Sequence, residues 1–374
     1  MNFLIIFEAK LEKSILEVLM KHFKTILVTT AIMALSMATA HAQYVTSHAK
    51  IAVPGQQNGL YYSLPRTVVQ LDFIVEEIEL LEGPYREYVY MVGADDYVSE
   101  DGMEYRLADI QMSTYAEADP NATFFVAMNT KKSEGMEFSL TPKGILQGVG
   151  VEKPSQMEQP KTYIIPNPPT DSDRTFKYQY GSNGTRGKEQ LARSASEMLS
   201  RIREEKIKLI TGFQETAFTL DTYRQMLADL EEMENEYLSL FIGKRIITTT
   251  VKTVYITPTK EVPTQTIGKF STATGFSTNY ADSGTPITLQ AISLNTTSGI
   301  NGPSPSAVES LFYENKLFYR IPEIAYLKVS LGDNVLLEKR ETIAQLGALI
   351  LTPLGKTRMS LDPNTGQITS MGMK

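Results

Sequence analysis

The spacing of apolar residues changes twice along this chain, and that change limits its fold more than any single motif. From Val69 to Val75 every second residue is apolar (Val69, Leu71, Phe73, Val75), with Gln70 and Asp72 among those between, the period of a half-buried strand. Between 187 and 243 the spacing becomes helical. Met226, Leu230, Met233, Tyr237 and Leu240 recur at intervals of four and three, and Leu191, Ala195, Met198 and Ile202 offer a matching stripe. After Gly243 the strand pattern returns, first in ITTTVKTVYIT, rich in β-branched residues, then through 265–297 and from 317 onward. The expected class is α+β, mainly antiparallel β, with an antiparallel helical hairpin inserted between two β regions.

Boundaries follow from composition. Strand-like runs at 105–115, 122–128, 136–141 and 145–150 complete an N-terminal β region at 44–150, in which GPYREYVYMVG (83–93) reads as one or two helical turns. Residues 151–186 hold Pro154, Pro160, Pro166, Pro168 and Pro169; proline blocks both helix continuation and central-strand pairing, so this is a linker. The hairpin spans 187–243, with Gly212 placed to end its first helix and Asp221 to cap its second. A C-terminal β region fills 244–374, where Asp362 to Gly366 makes a turn between the last two strands.

One phrase occurs twice. NGLYYSLP runs from Asn58 to Pro65 and NKLFYRIP from Asn315 to Pro322, and each is followed later by LTPxG, at 140–144 and 351–355. The apolar face falls at even offsets after Pro65 and at odd offsets after Pro322 (Leu327, Val329, Leu331), so a true duplication needs a bulge. The phrase reads as architecture, either a duplicated β unit or a recurrent start to a strand. Tyr61, Tyr62, Phe318 and Tyr319 are expected in the core or on a sheet face rather than on a ligand platform.

MKHFKTILVTTAIMALSMATAHAQ has a basic start at Lys21 and Lys24, an apolar run, and the small-residue site Ala40-His41-Ala42. Residues 20–42 therefore read as a secretory signal peptide, and 1–19 as a mis-assigned upstream extension. Cleavage would leave Gln43 first. The part removed holds four Lys and three Glu, which moves the net charge from −7 to −8. That mildly acidic, mixed-sign balance gives no footprint for nucleic acid. The chain has no Cys, hence no disulfide and no lipid-modified cysteine. No later segment approaches the ~18 apolar residues of a spanning helix. The expected location is the periplasm or the cell surface, not as a lipoprotein.

Histidine excludes most chemistry. Of three, His22 and His41 leave with the signal, so His48 alone remains. Ser-His-Asp triads, Cys-His pairs and HExxH zinc sites fail unless that one residue is recruited. Ser47-His48-Ala49-Lys50 matches SxxK without a helical pattern around it. GSNGTRGKE (181–189) precedes a helix, but Ser182 stands where a phosphate loop needs Gly and Glu189 where it needs Ser or Thr. GADDYVSEDG offers Asp95, Asp96, Glu100 and Asp101 as weak calcium candidates, without the regular spacing of a calcium loop. No carboxylate pair for glycoside hydrolysis stands out, and the lack of Trp weakens a sugar-stacking site. No catalytic residue, cofactor or metal is assigned.

GLYYSLP (59–65), GPYREY (83–88), IREEKIKLITG (202–212), ENEYLSLFIGK (234–244), AQLGALILTP (344–353) and LDPNTGQI (361–368) together resemble a secreted Bacteroidota family known as a domain of unknown function. The resemblance spans essentially the whole mature chain. It implies export from a Gram-negative bacterium and carries over no activity, cofactor or catalytic residue. The expectation is an exported, non-catalytic binding or structural protein of the cell envelope, whose partner is a protein or an envelope glycan. The alternative is a carboxylate-dependent hydrolase acting on glycans or peptidoglycan.

Overall fold

A computed structural model describes residues 43–52, 58–128, 136–150, 156–179, 187–212, 219–260, 262–355 and 357–373. The signal sequence and the extension before it lie outside these residues. Strands dominate and pair antiparallel, with a few helices between β regions, which is the α+β class expected. The first sheet has the order β10-β1-β3-β2-β6, built from β1 (Tyr44–His48), β2 (Gly59–Leu81), β3 (Gly102–Met128), β6 (Lys244–Ile256) and β10 (Phe312–Glu314). The second runs β12-β11-β9-β7-β8, from β7 (Thr264–Ser271), β8 (Gly275–Ser277), β9 (Thr285–Ser293), β11 (Lys316–Leu331) and β12 (Asn334–Pro353). The third runs β14-β13-β5-β4, from β4 (Phe138–Leu140), β5 (Leu146–Val149), β13 (Thr357–Leu361) and β14 (Ile368–Met373).

Strands from before and after the helical block share the first and third sheets. β6 pairs with β2 along 69–81, β10 pairs with β1, and β13 pairs with β5. The β regions at 44–150 and 244–374 are therefore interlaced. Alternation in a sequence reports which face of a strand is buried and says nothing about its neighbour.

Each repeated phrase begins one residue before a long strand, at Asn58 before β2 and Asn315 before β11, and ends at a break in register: Ser63/Pro65 in β2 against β3, and Ile321/Glu323 in β11 against β12. Proline has no N–H for a ladder, so strands tolerate it at bulges. Before the proline, Tyr62, Leu64, Leu317 and Phe318 pack in one core with Phe124, Leu146, Val149, Met359 and Leu361. After it, Val69, Leu71, Phe73 and Val75 of β2 and Ala325, Leu327 and Val329 of β11 enter another core with Ile287, Leu289 and Ile343. The phrase marks where a strand passes from one core to the next. The two copies touch: the Phe318 N–H donates to the Tyr62 hydroxyl at 3.0 Å, and that hydroxyl donates to the Phe318 carbonyl at 3.4 Å. Tyr62 stands three residues before its proline and Phe318 four before its own, the same one-residue offset as the even and odd phases. The two LTPxG stretches lead into β5 and β13, which pair with each other. Tyr61 is the exception among the four aromatics, exposed beside Phe125.

The hairpin helices span Lys188–Thr211 and Leu220–Ile242. Gly212 ends the first in the left-handed conformation (φ 72°), as expected. Thr219, two residues before Asp221, caps the second: its hydroxyl accepts from the Thr222 N–H at 3.3 Å. Tyr237, Leu240 and Phe241 are buried against Leu191, Ala195, Leu199 and Ile202, together with Tyr85, the 3-10 turn Arg86–Met91, Phe176 and Tyr178. No strand residue belongs to this cluster. The hairpin is thus seated at its base on turns, and farther out it is held by Arg203–Glu234 (2.8 Å) and Lys206–Glu234 (3.2 Å). Residues 213–218, between the two helices, lie outside the described residues; Leu220, which opens the second helix, is exposed. Leu240→Ala is expected to cost ~2–5 kcal/mol, and Leu230→Ala, only half-buried, about 1–2 kcal/mol. Urea denaturation of both variants measures the gradient; equal losses would mean the seam is buried along its whole length.

Residues 156–174, expected as linker, are tied to the sheets. The Lys161 carbonyl accepts from buried Gln70 (2.7 Å), the Glu158 N–H donates to Asn364 Oδ1 (2.9 Å), and Arg174 pairs with Glu79 (2.8 Å).

Candidate functional site

The two proline bulges meet where the first and second sheets join. Residues 344–347 of β12 have no register partner on β11, and they bend toward β2 instead. There the Ala344 N–H donates to Thr67 Oγ1 (2.9 Å), Gln345 Oε1 accepts from the Thr67 N–H (2.8 Å), and Gln345 Nε2 donates to the Thr67 carbonyl (2.9 Å) and the Pro258 carbonyl (3.0 Å). A side-chain amide thereby takes the place of a neighbouring strand. Arg320 closes the other side, donating to the Pro65 carbonyl (2.5 Å) and pairing with buried Asp119 at 2.7 Å.

Outside this junction lies a groove of about 810 Å³. Its walls are Leu346 to Leu349 of β12, the end of β9, the loop 294–304, the short helix Pro305–Ser310, Lys260, and Asn121 from β3. Hydroxyl and amide groups (Asn121, Ser293, Asn295, Ser298) alternate with aliphatic ones such as Ile292, Ile300 and Val308.

Glu323 holds the loop. It is 1% exposed, and its carboxylate accepts four hydrogen bonds: from the Thr296 N–H and hydroxyl (both 2.7 Å), the Thr297 N–H (3.1 Å) and the Thr297 hydroxyl (2.6 Å). Burial pushes its pKa up, and these hydrogen bonds outweigh burial, leaving it at about 2 against an ordinary 4.5. With its acceptor sites filled and no proton near neutrality, Glu323 positions the loop. Because its folded pKa is the lower one, its contribution is fully present above about pH 4.5 and lost as pH falls through about 2. That contribution is on the order of 3 kcal/mol. Glu323→Gln should remove about that much at pH 7 and flatten the stability profile between those two values, as thermal unfolding against pH would measure.

The groups singled out in the sequence lie in structural roles. His48 is buried; its Nε2 lies 3.2 Å from the Asn121 carbonyl while Nδ1 accepts from the Lys50 N–H at 3.2 Å, so both ring nitrogens serve the backbone as the Nε2–H tautomer. Ser47 is in β1 and Lys50 in the 3-10 turn after it, with the ammonium on Glu309 at 2.6 Å. They share no helical turn. Of GSNGTRGKE, Gly187 precedes the first hairpin helix and 181–186 lie outside the described residues. Asp96 pairs with Arg245 (2.6 Å), Asp101 accepts from the Glu82 N–H (2.6 Å), and Arg245 lines the same small cleft as Glu100. Among the described residues, no three His, Asp or Glu side chains gather where a metal ion would sit. Also among them, no helix is long and apolar enough to cross a membrane.

Glu323, Gln345 and Arg320 escaped the sequence reading, although one signal for Glu323 was present. It falls on the same face of β11 as Ala325, Leu327 and Val329, all fully buried, and a carboxylate on a core face must find donors.

The stretch carrying both phrases, the hairpin and every wall of the groove matches one family. The chain belongs to DUF4831, a domain of unknown function, over residues 58–369. The resemblance read from its phrases is thereby shown at the level of a family without assigned function. No curated protein and no solved structure matches the chain. For this DUF4831 protein the chemistry of the groove is thus the guide to function.

Proposed function

We propose that this DUF4831 protein is an exported, non-catalytic binding protein of the bacterial cell envelope, acting in the periplasm or at the cell surface. The observation that carries the reading is the state of the two carboxylates in the groove. Glu323 has its acceptor sites filled by Thr296 and Thr297, and Glu309 is neutralised by Lys50 at 2.6 Å. Carboxylate-dependent hydrolysis needs one carboxyl held protonated near neutrality and a second kept free to act as base or nucleophile. A rigid wall with hydroxyl and amide groups suits a preformed binding site better. Export rests on the signal-like stretch at 20–42.

The test is a calorimetric screen of the mature protein against soluble envelope glycans and peptides, with mass spectrometry of whatever is bound. Intact ligand supports binding. Product that accumulates with time and disappears in Glu309→Gln would replace this reading by the hydrolase. N-terminal mass spectrometry of protein from producing cells is expected to find Gln43 first, and intact Met1 would overturn export.

A further inference from the structure

We propose that His48 is a pH switch for one wall of the groove: protonation turns its Nδ1 from the Lys50 N–H to the Glu309 carboxylate and re-seats the helix Pro305–Ser310. What the switch regulates rests on the binding reading above; the movement does not. His48 ends β1, is 1% exposed, and stands edge-on to Phe124 with ring centroids 5.7 Å apart. Its Nε2–H donates to the Asn121 carbonyl, and its Nδ1 accepts from the Lys50 N–H, which closes the 3-10 turn Ala49–Ile51. One nitrogen is in use as donor and the other as acceptor. A proton on Nδ1 would set N–H against N–H. The ring is too deeply buried for water to accept that new donor, so its charged form needs another acceptor.

Glu309 is the carboxylate that answers to the ring. The hydrogen bond and the charge of Lys50 hold its carboxyl below the usual range, and a positive charge on His48 acts in the same direction. Its pairing with the Lys50 ammonium, at 2.6 Å, joins two exposed side chains, and such pairs are weak enough to exchange. Among the described residues, the other charged side chains on the strands beside His48 are Asp119 on β3, already bound to Arg320, and the exposed Glu314 and Lys316.

Both partners of the ring reach the groove. Asn121, Pro305, Val308 and Glu309 line it, and Ser304, which caps the helix by accepting from the Ala307 N–H at 3.3 Å, ends the loop of the opposite wall. Glu323, with its pKa at about 2, stays ionised throughout and keeps its hold on that loop. The change is thereby confined to the helix side.

The experiment follows the mature protein by NMR from about pH 8 to about pH 5, the range in which imidazole ordinarily takes up its proton. His48 is the one histidine after the signal-like stretch, so its ring protons are read without overlap. Amide signals of Lys50 and of Ala307 to Ser310 should move with the ring on one shared midpoint. Exchange of the Lys50 amide, corrected for its intrinsic pH dependence, should quicken about tenfold, the size of one hydrogen bond. In His48→Asn the side-chain oxygen can still accept from the N–H two residues on and takes up no proton, so both effects should vanish. In Glu309→Gln the helix signals should no longer follow the ring. The wild-type titration decides alone if a variant fails to fold. Three results would overturn the proposal: a ring that titrates while Lys50 and the helix stay still, a ring that takes up no proton above about pH 5, or helix shifts that persist in His48→Asn. A shared midpoint together with an empty ligand screen would uphold the switch and remove only the binding reading.

Discussion

Arg320→Met should lower the unfolding free energy by about 3–5 kcal/mol, among the largest losses expected from a single change outside the aromatic core. The substitution leaves Asp119 buried with the Asn121 N–H (3.0 Å) still donating to it but no cation beside it among the described residues, and it leaves the Pro65 carbonyl without the guanidinium. Most of the loss comes from stranding a charge, so the double variant Arg320→Met/Asp119→Leu should recover much of it. Urea denaturation of the singles and the double gives the coupling directly. If the double variant is as unstable as the two singles summed, the pair acts only through packing.

Phe318→Ala should cost about 3–5 kcal/mol, the loss typical of removing a buried ring. Phe318 is fully buried, stacked on Phe124 at 4.3 Å and edge-on to Tyr313 at 4.9 Å. Tyr62→Phe isolates the polar part of the same contact, because it leaves the Phe318 N–H without its hydroxyl partner, at about 1–3 kcal/mol. Both are read by denaturant midpoint at constant slope. A near-neutral Phe318→Ala would mean that the repeated phrase does not hold the two units together.

Elements with strong periodicity were legible in the sequence. The Val69 to Val75 face is buried in the core, Gly212 ends the first hairpin helix, and Asp362 to Gly366 turns the chain between β13 and β14. The missed cap shows how local competition is decided: Thr219 and Asp221 both offer an oxygen, and the one whose backbone is already extended outside the helix wins (Thr219, φ −66°, ψ 155°). The candidate site was not legible, because its parts come from residues as far apart as Asn121 and Leu349.

By itself, then, the sequence determined the order of β and helical blocks, the buried face of the long strands, the helical seam, and the paired phrases with their one-residue offset. These are local: each depends on side chains a few residues apart and on the period of the backbone they sit on. The tertiary structure alone decided which strands are neighbours, the interlacing of the two β regions, the seating of the hairpin on turns, and the groove. Those depend on hydrogen bonds and contacts between residues hundreds of positions apart, such as Gln345 on Thr67 and Arg320 on Asp119. No pattern of spacing encodes such a pair, because it is the closing of the sheets that brings its members together.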